Sequence, residues 1–480
     1  MSSLVVTGSF IFFLILFTAI GILSAKEKKS TSEDYLVASR SVNPWLTALS
    51  AVSTNNSGYM FIGLIGFAWR QGFEAIWITF GWIVGDFLTW LWVHRRVRAQ
   101  SEEVNASSVP ALLARDRDGN NSRAISLAAG ILTFFFLGGY AAAQLKAGST
   151  TLNALFGWPL WAGSVIGILV VVIYCFSGGI RASIWTDSAQ SIVMLVSMTV
   201  LMGACWLQVG GLAELRQSLA AIDPQLVEIM PRGLAFGLGL YVLGFIFGGI
   251  GTIGQPHILI RFMAIDEVDS IKTARTIYFL WYTYFSAAAL LVGLYSRVLL
   301  PDLTEGLKPA AAVAATEGAL PTLAVEMLPS LLIGLMLAGI FSATMSTADS
   351  QILSCSAAVT QDIFPRWSKS YSASKMATLS VALVALAIAL TASSGVFALV
   401  LVAWSALSAT IGPILLIRLA NLPLPSWLGV TMMVTGLSTV VLWGYSGFAG
   451  SVFKALPGML IPLILYGFYY GISTAKGEFR

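Results

Sequence analysis

Long apolar stretches follow one another along the whole chain, and they constrain its fold more than any other feature. The first, Leu4 to Ala25, holds 22 residues with no basic residue before Lys26. A helix needs about 20 residues to cross the ~30 Å hydrocarbon core of a bilayer. On that ruler the sequence predicts thirteen spans, at 4–25, 45–69, 73–94, 124–146, 157–177, 184–208, 234–263, 274–299, 328–361, 377–394, 396–417, 427–447 and 456–474. Hydrophobic residues make up 57% of the chain and charged residues 10%, so a soluble fold could not cover the apolar surface. That composition excludes a cytoplasmic enzyme, a nucleic-acid binder and a disordered regulator. The runs are unbroken, unlike the alternating ~10-residue strands of a β-barrel. The expectation is an all-α polytopic membrane protein. The first run exceeds the ~7–15-residue core of a signal peptide and reads as a retained transmembrane helix.

An odd number of spans places the termini on opposite sides. With the N-terminus outside, twenty Lys and Arg fall on the inner side and seven on the outer, the bias expected of cytoplasmic loops. Arg40, Arg98, Arg181 and Arg261 are counted there as inner-loop cations, together with Arg117 and Arg480. The longest polar stretches, 95–123, 209–233 and 300–327, are each under 30 residues. Residues 1–480 therefore read as one transmembrane domain, without a GxxxxGK[ST] nucleotide loop. Cys175, Cys205 and Cys355 lie in apolar runs without paired spacing, as buried free thiols.

Within the spans the polar residues are the informative ones, because charge inside lipid is costly. Three acids fall there: Asp86, Asp187 and Asp349. The second span carries Ser53-Thr54-Asn55-Asn56-Ser57-Gly58 at a depth of roughly 15 Å, near the midplane. Such a run predicts a helix break whose freed carbonyls and helix ends hold an ion or solute. In the ninth span Ser346, Asp349 and Ser350 stand at i, i+3 and i+4 on one face, beside Thr347 and at a depth similar to Asp187. Oxygen ligands with no Cys or His suit a hard cation such as Na⁺. The seventh span is rich in glycine and continues as Gln255-Pro256-His257, which predicts a second break. Two interrupted helices at corresponding places in two halves point to a central binding site. His257 reads as a hydrogen-bonded structural residue, and Asp86 as a buried acid of unassigned role.

Four stretches carry a family likeness: Tyr35-Leu36-Val37-Ala38-Ser39-Arg40-Ser41; Ser177-Gly178-Gly179-Ile180-Arg181-Ala182 leading to Thr186-Asp187; Gly254-Gln255-Pro256-His257-Ile258; and Met345-Ser346-Thr347 leading to Asp349-Ser350-Gln351. Here the chain resembles the sodium:solute symporter family, in particular its sodium/proline-symporter-like bacterial branch. The likeness runs over about residues 4 to 474. It implies a LeuT-type 5+5 inverted repeat of about thirteen helices. The repeats would be 45–208 and 234–417, with an extra N-terminal helix at 4–25 and two C-terminal helices at 427–474. It implies Na⁺-coupled solute symport by alternating access in the bacterial inner membrane.

Carried over by position, the family's Na⁺ site would use carbonyls of Ser53, Asn56 and Ala343 and hydroxyls of Ser346 and Thr347. A second Na⁺ site would use Asp187, Ser346, Asp349 and Ser350. The branch pattern has an Asp at Asn55 and aromatics at Gly248 and Thr252. Those departures leave room for a different or larger solute. The expected solute contacts are Asn55, Ser57, Tyr59, Tyr140, Gln144, Thr252 and Gln255. The chain is then no enzyme. Its partners are Na⁺ as coupling ion, a small organic solute (amino acid, vitamin, sugar or carboxylate) and the bilayer, with no organic cofactor and no nucleic acid, in a monomer. The alternatives are a proton-coupled symporter using Asp187 or Asp349, and a transporter-like solute sensor. No Arg or Lys other than Lys146 is expected near the site, which favours a zwitterionic or neutral solute, or capture of a carboxylate by freed helix N–H groups.

Overall fold

The computed structural model describes residues 3–116, 119–391 and 396–476. Residues 392–394 of the tenth predicted span, and the counted cations Arg117 and Arg480, lie outside them. The described residues are almost wholly helical. The principal helices, in order, begin with α1 (Ser3–Ser24), α2 (Pro44–Asn55), α3 (Leu64–Gln71), α4 (Ile76–Glu103), α5 (Arg123–Phe156) and α6 (Leu160–Val209). Then follow α7 (Gly237–Ile250), α8 (Pro256–Ala264), α9 (Ser270–Leu299) and α10 (Ser330–Ala357). The series ends with α11 (Tyr371–Thr391), α12 (Val396–Leu419), α13 (Ser426–Tyr445) and α14 (Ala455–Ala475).

The second predicted span is broken where its polar run falls. Asn43 caps α2 by accepting from the Leu46 amide, and Pro44 occupies the first turn, both helix-starting signals. The helix stops at Asn55 because Asn56 leaves helical geometry (φ −90°, ψ 68°). A π-helical turn, Tyr59–Gly63, then leads into α3. The seventh predicted span is broken in the same manner. Between α7 and α8 lie a 3₁₀ turn, Gly251–Gly254, and an extended Gln255, and Pro256 starts α8.

Eleven helical stretches of the described residues are long and apolar enough to cross a membrane, against thirteen predicted. Two of them each hold parts of two predicted spans. Tyr59–Glu103 joins the end of the second span to the third across Gly72 (φ +63°). Leu160–Val209 joins the fifth to the sixth across Gly179 (φ +59°, ψ −140°). Left-handed backbone at these glycines reverses the chain without a polar loop. At Gly179 a Cβ would also lie 2.3 Å from the Tyr35 carbonyl. Gly179→Ala should therefore cost more than about 3 kcal/mol, read as loss of folded, monodisperse protein in detergent. Gly203→Ala, whose Cβ meets nothing within 4 Å, should behave as wild type. Monodisperse G179A protein at wild-type yield would refute the argument.

The core is built around α10, in which every residue from Met336 to Ala357 is buried. It packs against α1, α5 and α6. Small residues let other helices approach closely: a Cβ on Gly85 of α4 would lie 1.9 Å from the Ile246 carbonyl of α7. The loop reading of four cations needs correction, since Arg40, Arg98, Arg181 and Arg261 are all buried. Arg40 donates to the carbonyls of Met263, Ser101 and Ala106. Arg98 donates to those of Ile265 and Asp266. Arg181 pairs with buried Asp34 at 2.7 Å. Their hydrogen bonds satisfy carbonyls left free at helix ends. Two further buried acids join the predicted three: Asp34, paired with Arg181, and Asp362, just beyond α10, which accepts from Ser108 and Ser126.

Candidate functional site

The broken end of α2 meets the middle of α10. Ser346 Oγ lies 3.2 Å from the Ser53 carbonyl and 3.4 Å from that of Ala343. Thr347 Oγ1 lies 3.1 Å from the Thr54 carbonyl and 3.0 Å from that of Ala343. The carbonyl of Ser53 and that of Thr54 stand in the last turn of α2, where intrahelical donors run out. Five oxygens, three carbonyl and two hydroxyl, thus face one another in a buried gap. Of the five residues expected there, Ser53, Ala343, Ser346 and Thr347 are brought together, and Thr54 is added. Asn56, expected there through its carbonyl, is the first residue past α2, and its side-chain amide donates to the Val52 carbonyl at 2.8 Å. The set offers only neutral oxygens, a donor chemistry suited to a small hard cation.

Beside this gap the four residues expected to hold a second cation also meet. Asp187 Oδ2 accepts from Ser50 at 2.7 Å and Ser183 at 3.3 Å. Asp349 accepts from Tyr174 at 2.7 Å, Ser183 at 3.0 Å and Ser350 at 2.8 Å. Thr54 Oγ1 lies 3.2 Å from Ser350 Oγ and ties the cluster to the first gap through the Ser346 carbonyl. A cation of the chain's own already stands there. Arg261 of α8 lies 3.1 Å from Asp187 and 4.0 Å from Asp349, all three side chains wholly buried, and it also bonds Ser350. This corrects the expectation that no arginine is near the site.

On the other side of the break the expected solute contacts collect. Ser57 Oγ and Tyr140 Oη are 3.1 Å apart. Gln144 Oε1 accepts from the Gly58 amide at 3.0 Å, one of the donors the break frees. Asn55 Nδ2 donates to Tyr278 Oη at 2.5 Å and lies 3.4 Å from Asp86 Oδ2. Tyr59 stacks on Trp82 with centroids 5.9 Å apart. At the second break Thr252 donates to the Gly249 carbonyl at 2.7 Å. Gln255 is turned into α12, donating to the Trp404 carbonyl and to Ser408, so it fastens the break. The room expected at Gly248 is filled: a Cβ there would lie 3.0 Å from Trp82 Nε1, and Trp404 donates to its carbonyl. His257 is buried, and its backbone carbonyl accepts from Arg261 at 2.7 Å, while its ring Nδ1 has no hydrogen-bond partner. The cysteines are free and buried.

Sequence reasoning missed Arg261, Trp82, Trp404 and Tyr278. Only Arg261 left a sequence signal, its place four residues after His257 on one helical face.

Known proteins share this architecture. The model of the sodium:solute symporter family matches residues 35–420. The high-affinity proline transporter PutP of Bacillus subtilis (strain 168) is 28% identical over 462 residues, 95% of each chain. The sodium/proline symporter of Escherichia coli (strain K12) is 31% identical over 458 residues, 92% of this chain and 88% of that one. A solved Na⁺-coupled sialic acid symporter in a substrate-bound outward-open state aligns with a TM-score of 0.77, covering 96% of both chains at 19% identity, which shows a common fold. The chain therefore belongs to the sodium:solute symporter family, as a multi-pass membrane transporter coupled to Na⁺.

Proposed function

We propose that the chain takes a small organic solute into the cell by alternating access, driven by Na⁺ that binds between the broken α2 and α10. The N-terminus lies outside and the C-terminus inside. The carrying observation is the meeting of the Ser346 and Thr347 hydroxyls with the carbonyls of Ser53, Thr54 and Ala343. A cation in that gap would draw α10 onto the end of α2 and fix the break in one geometry. The solute contacts Asn55 and Ser57 stand on that same break, and Tyr140 and Gln144 of α5 bond to it, so the ion stabilises the state that binds solute. Coupling needs that differential stabilisation, and it is reciprocal. The two groups of five spans, 45–208 and 234–417, would rock about this fixed centre.

The solute is amino-acid-sized and proline-like in this reading. The named relatives are proline transporters, and Trp82 and Trp404 fill the space that a larger solute would need. Proton coupling through Asp187 or Asp349 is disfavoured because Arg261 supplies both carboxylates with a fixed positive charge. The same charge leaves the second Na⁺ site without a role here.

The test is uptake into proteoliposomes of labelled L-proline and a panel of small zwitterions and carboxylates. An inward Na⁺ gradient should drive accumulation, K⁺ in place of Na⁺ should abolish it, and collapse of the pH gradient should leave it unchanged. Accumulation that persists without Na⁺ would overturn the proposal.

A further inference from the structure

One buried carboxylate has no part in the Na⁺ gap. Asp86 of α4 is 1% exposed. Its Oδ2 accepts from Tyr278 Oη at 2.6 Å and faces Asn55 Nδ2 at 3.4 Å. Thr89 Oγ1 lies 3.4 Å from Oδ1 but gives its shorter bond, 2.7 Å, to the Asp86 carbonyl. All of these donors are neutral. Among the described residues no ion pair includes Asp86, in contrast to Asp187, Asp349 and Asp34; Asp362 is in no ion pair either, but Arg123 stands beside it and donates to its carbonyl. A buried carboxylate without a cation is strongly disfavoured, so its retention beside a binding cleft calls for a cation from outside.

The neighbours indicate which cation. Asp86 and Trp82 stand at i and i+4 on the face of α4 that packs against α7: a Cβ on Gly249 would lie 2.2 Å from the Trp82 carbonyl and 2.8 Å from the Asp86 amide. Trp82 stacks on Tyr59 and packs on Trp404 with centroids 5.0 Å apart. A cavity of about 20 Å³, lined by Tyr59, Trp82, Tyr282 and Ser286, lies one turn along α4 from Asp86; it has room for about one water and must widen to admit a solute. Three buried polar atoms nearby have no hydrogen-bond partner: Asn55 Oδ1, an acceptor, Trp82 Nε1, a donor, and the Ser286 hydroxyl in the cavity lining. Aromatic faces and a carboxylate together attract an organic cation. An orphan amide oxygen next to that carboxylate asks for an N–H, and an orphan indole N–H asks for an acceptor.

We propose that Asp86 is the counter-charge for a protonated amine on the solute, which donates to Asp86 and to Asn55 Oδ1 beneath the Tyr59–Trp82 rings. The solute is thereby a small zwitterion with at least one N–H on its cationic nitrogen. The inference rests on the reading of Asn55 as a solute contact.

The test is thermal stabilisation of the purified full chain by Na⁺ alone, and then by solute in saturating Na⁺. The solutes are matched pairs: L-proline with cyclopentanecarboxylate, L-alanine with isobutyrate, and piperidine-2-carboxylate with cyclohexanecarboxylate. Wild type should be stabilised by amine members and not by their nitrogen-free partners. Asp86→Asn should weaken the amine response at least tenfold and keep the Na⁺ response, and the exchange Asn55→Asp with Asp86→Asn should restore the amine response. Equal response to both members of each pair, or to no amine at all, would overturn the proposal. So would a D86N variant whose Na⁺ half-saturation moves while its amine response stays. If D86N does not fold, the wild-type pairs alone decide. Absence of any Na⁺ response in wild type would instead strike at the transport reading.

Discussion

Ser346→Ala and Thr347→Ala should each raise the Na⁺ concentration for half-maximal uptake roughly ten- to a hundredfold. The reason is the composition of the gap. It offers five neutral oxygens and no carboxylate, so each ligand carries a large share of the binding free energy. An interaction with a charged partner is worth about 1.5–3 kcal/mol, and 1.4 kcal/mol is about tenfold in affinity. Thr347 Oγ1 already donates its proton, to the Ala343 carbonyl at 3.0 Å and toward the Thr54 carbonyl at 3.1 Å, so its lone pairs remain for a cation. Ser346 is placed likewise between Ala343 and Ser53. Thr347→Ser keeps the hydroxyl and should stay near wild type, which separates loss of a ligand from loss of packing. The measurement is Na⁺ dependence of uptake at fixed solute, with Na⁺-dependent melting of the same proteins. An unchanged Na⁺ requirement in both alanine variants would remove the site.

That site was legible in the sequence for a local reason. A run of small polar residues ending in glycine at mid-membrane depth is a poor continuous helix, and the break falls at Asn56 within Ser53–Gly58. The facing partners were legible because helical period places Ser346, Asp349 and Ser350 on one side. What the sequence could not convey was tertiary. Arg261 lies near the end of a straight 30-residue span, and on a uniform ruler it counts as a loop cation. The turn at Gly251–Gly254 and the extended Gln255 begin a new short helix, and its arginine points back among Asp187, Asp349 and Ser350. Asp86 has its partner in Tyr278, 192 residues away, beyond any periodicity. The space at Gly248 read as room for solute because the sequence does not say that Trp82 and Trp404 arrive from other helices. The chain reversals at Gly72 and Gly179 depend on backbone sign, which hydropathy does not report.

Arg261→Gln is expected to be the most damaging single change in the bundle. The guanidinium bonds Ser50 Oγ of α2 at 3.2 Å, Ser183 Oγ of α6 at 2.8 Å and the His257 carbonyl of α8 at 2.7 Å. It also bonds Ser350 of α10 and pairs with Asp187. One side chain thus joins both broken helices to the two helices that flank them. A buried ion pair adds little over a well-packed apolar pair, but removing one partner costs about 3–5 kcal/mol because the other charge is left in a low dielectric. Here two carboxylates would be left, facing each other. R261Q should therefore melt well below wild type. Asp187→Asn with Arg261→Gln removes one of the stranded charges and should recover part of the loss, so the two changes should be far from additive. Arg261→Lys keeps the charge without the planar fork that reaches several partners at once, and should fall between. Wild type, D187N, R261Q and the double variant, melted in one detergent at one Na⁺ concentration, form the cycle. Additive losses would mean that Arg261 holds these helices by packing alone, and the buried carboxylates would then need another source of positive charge.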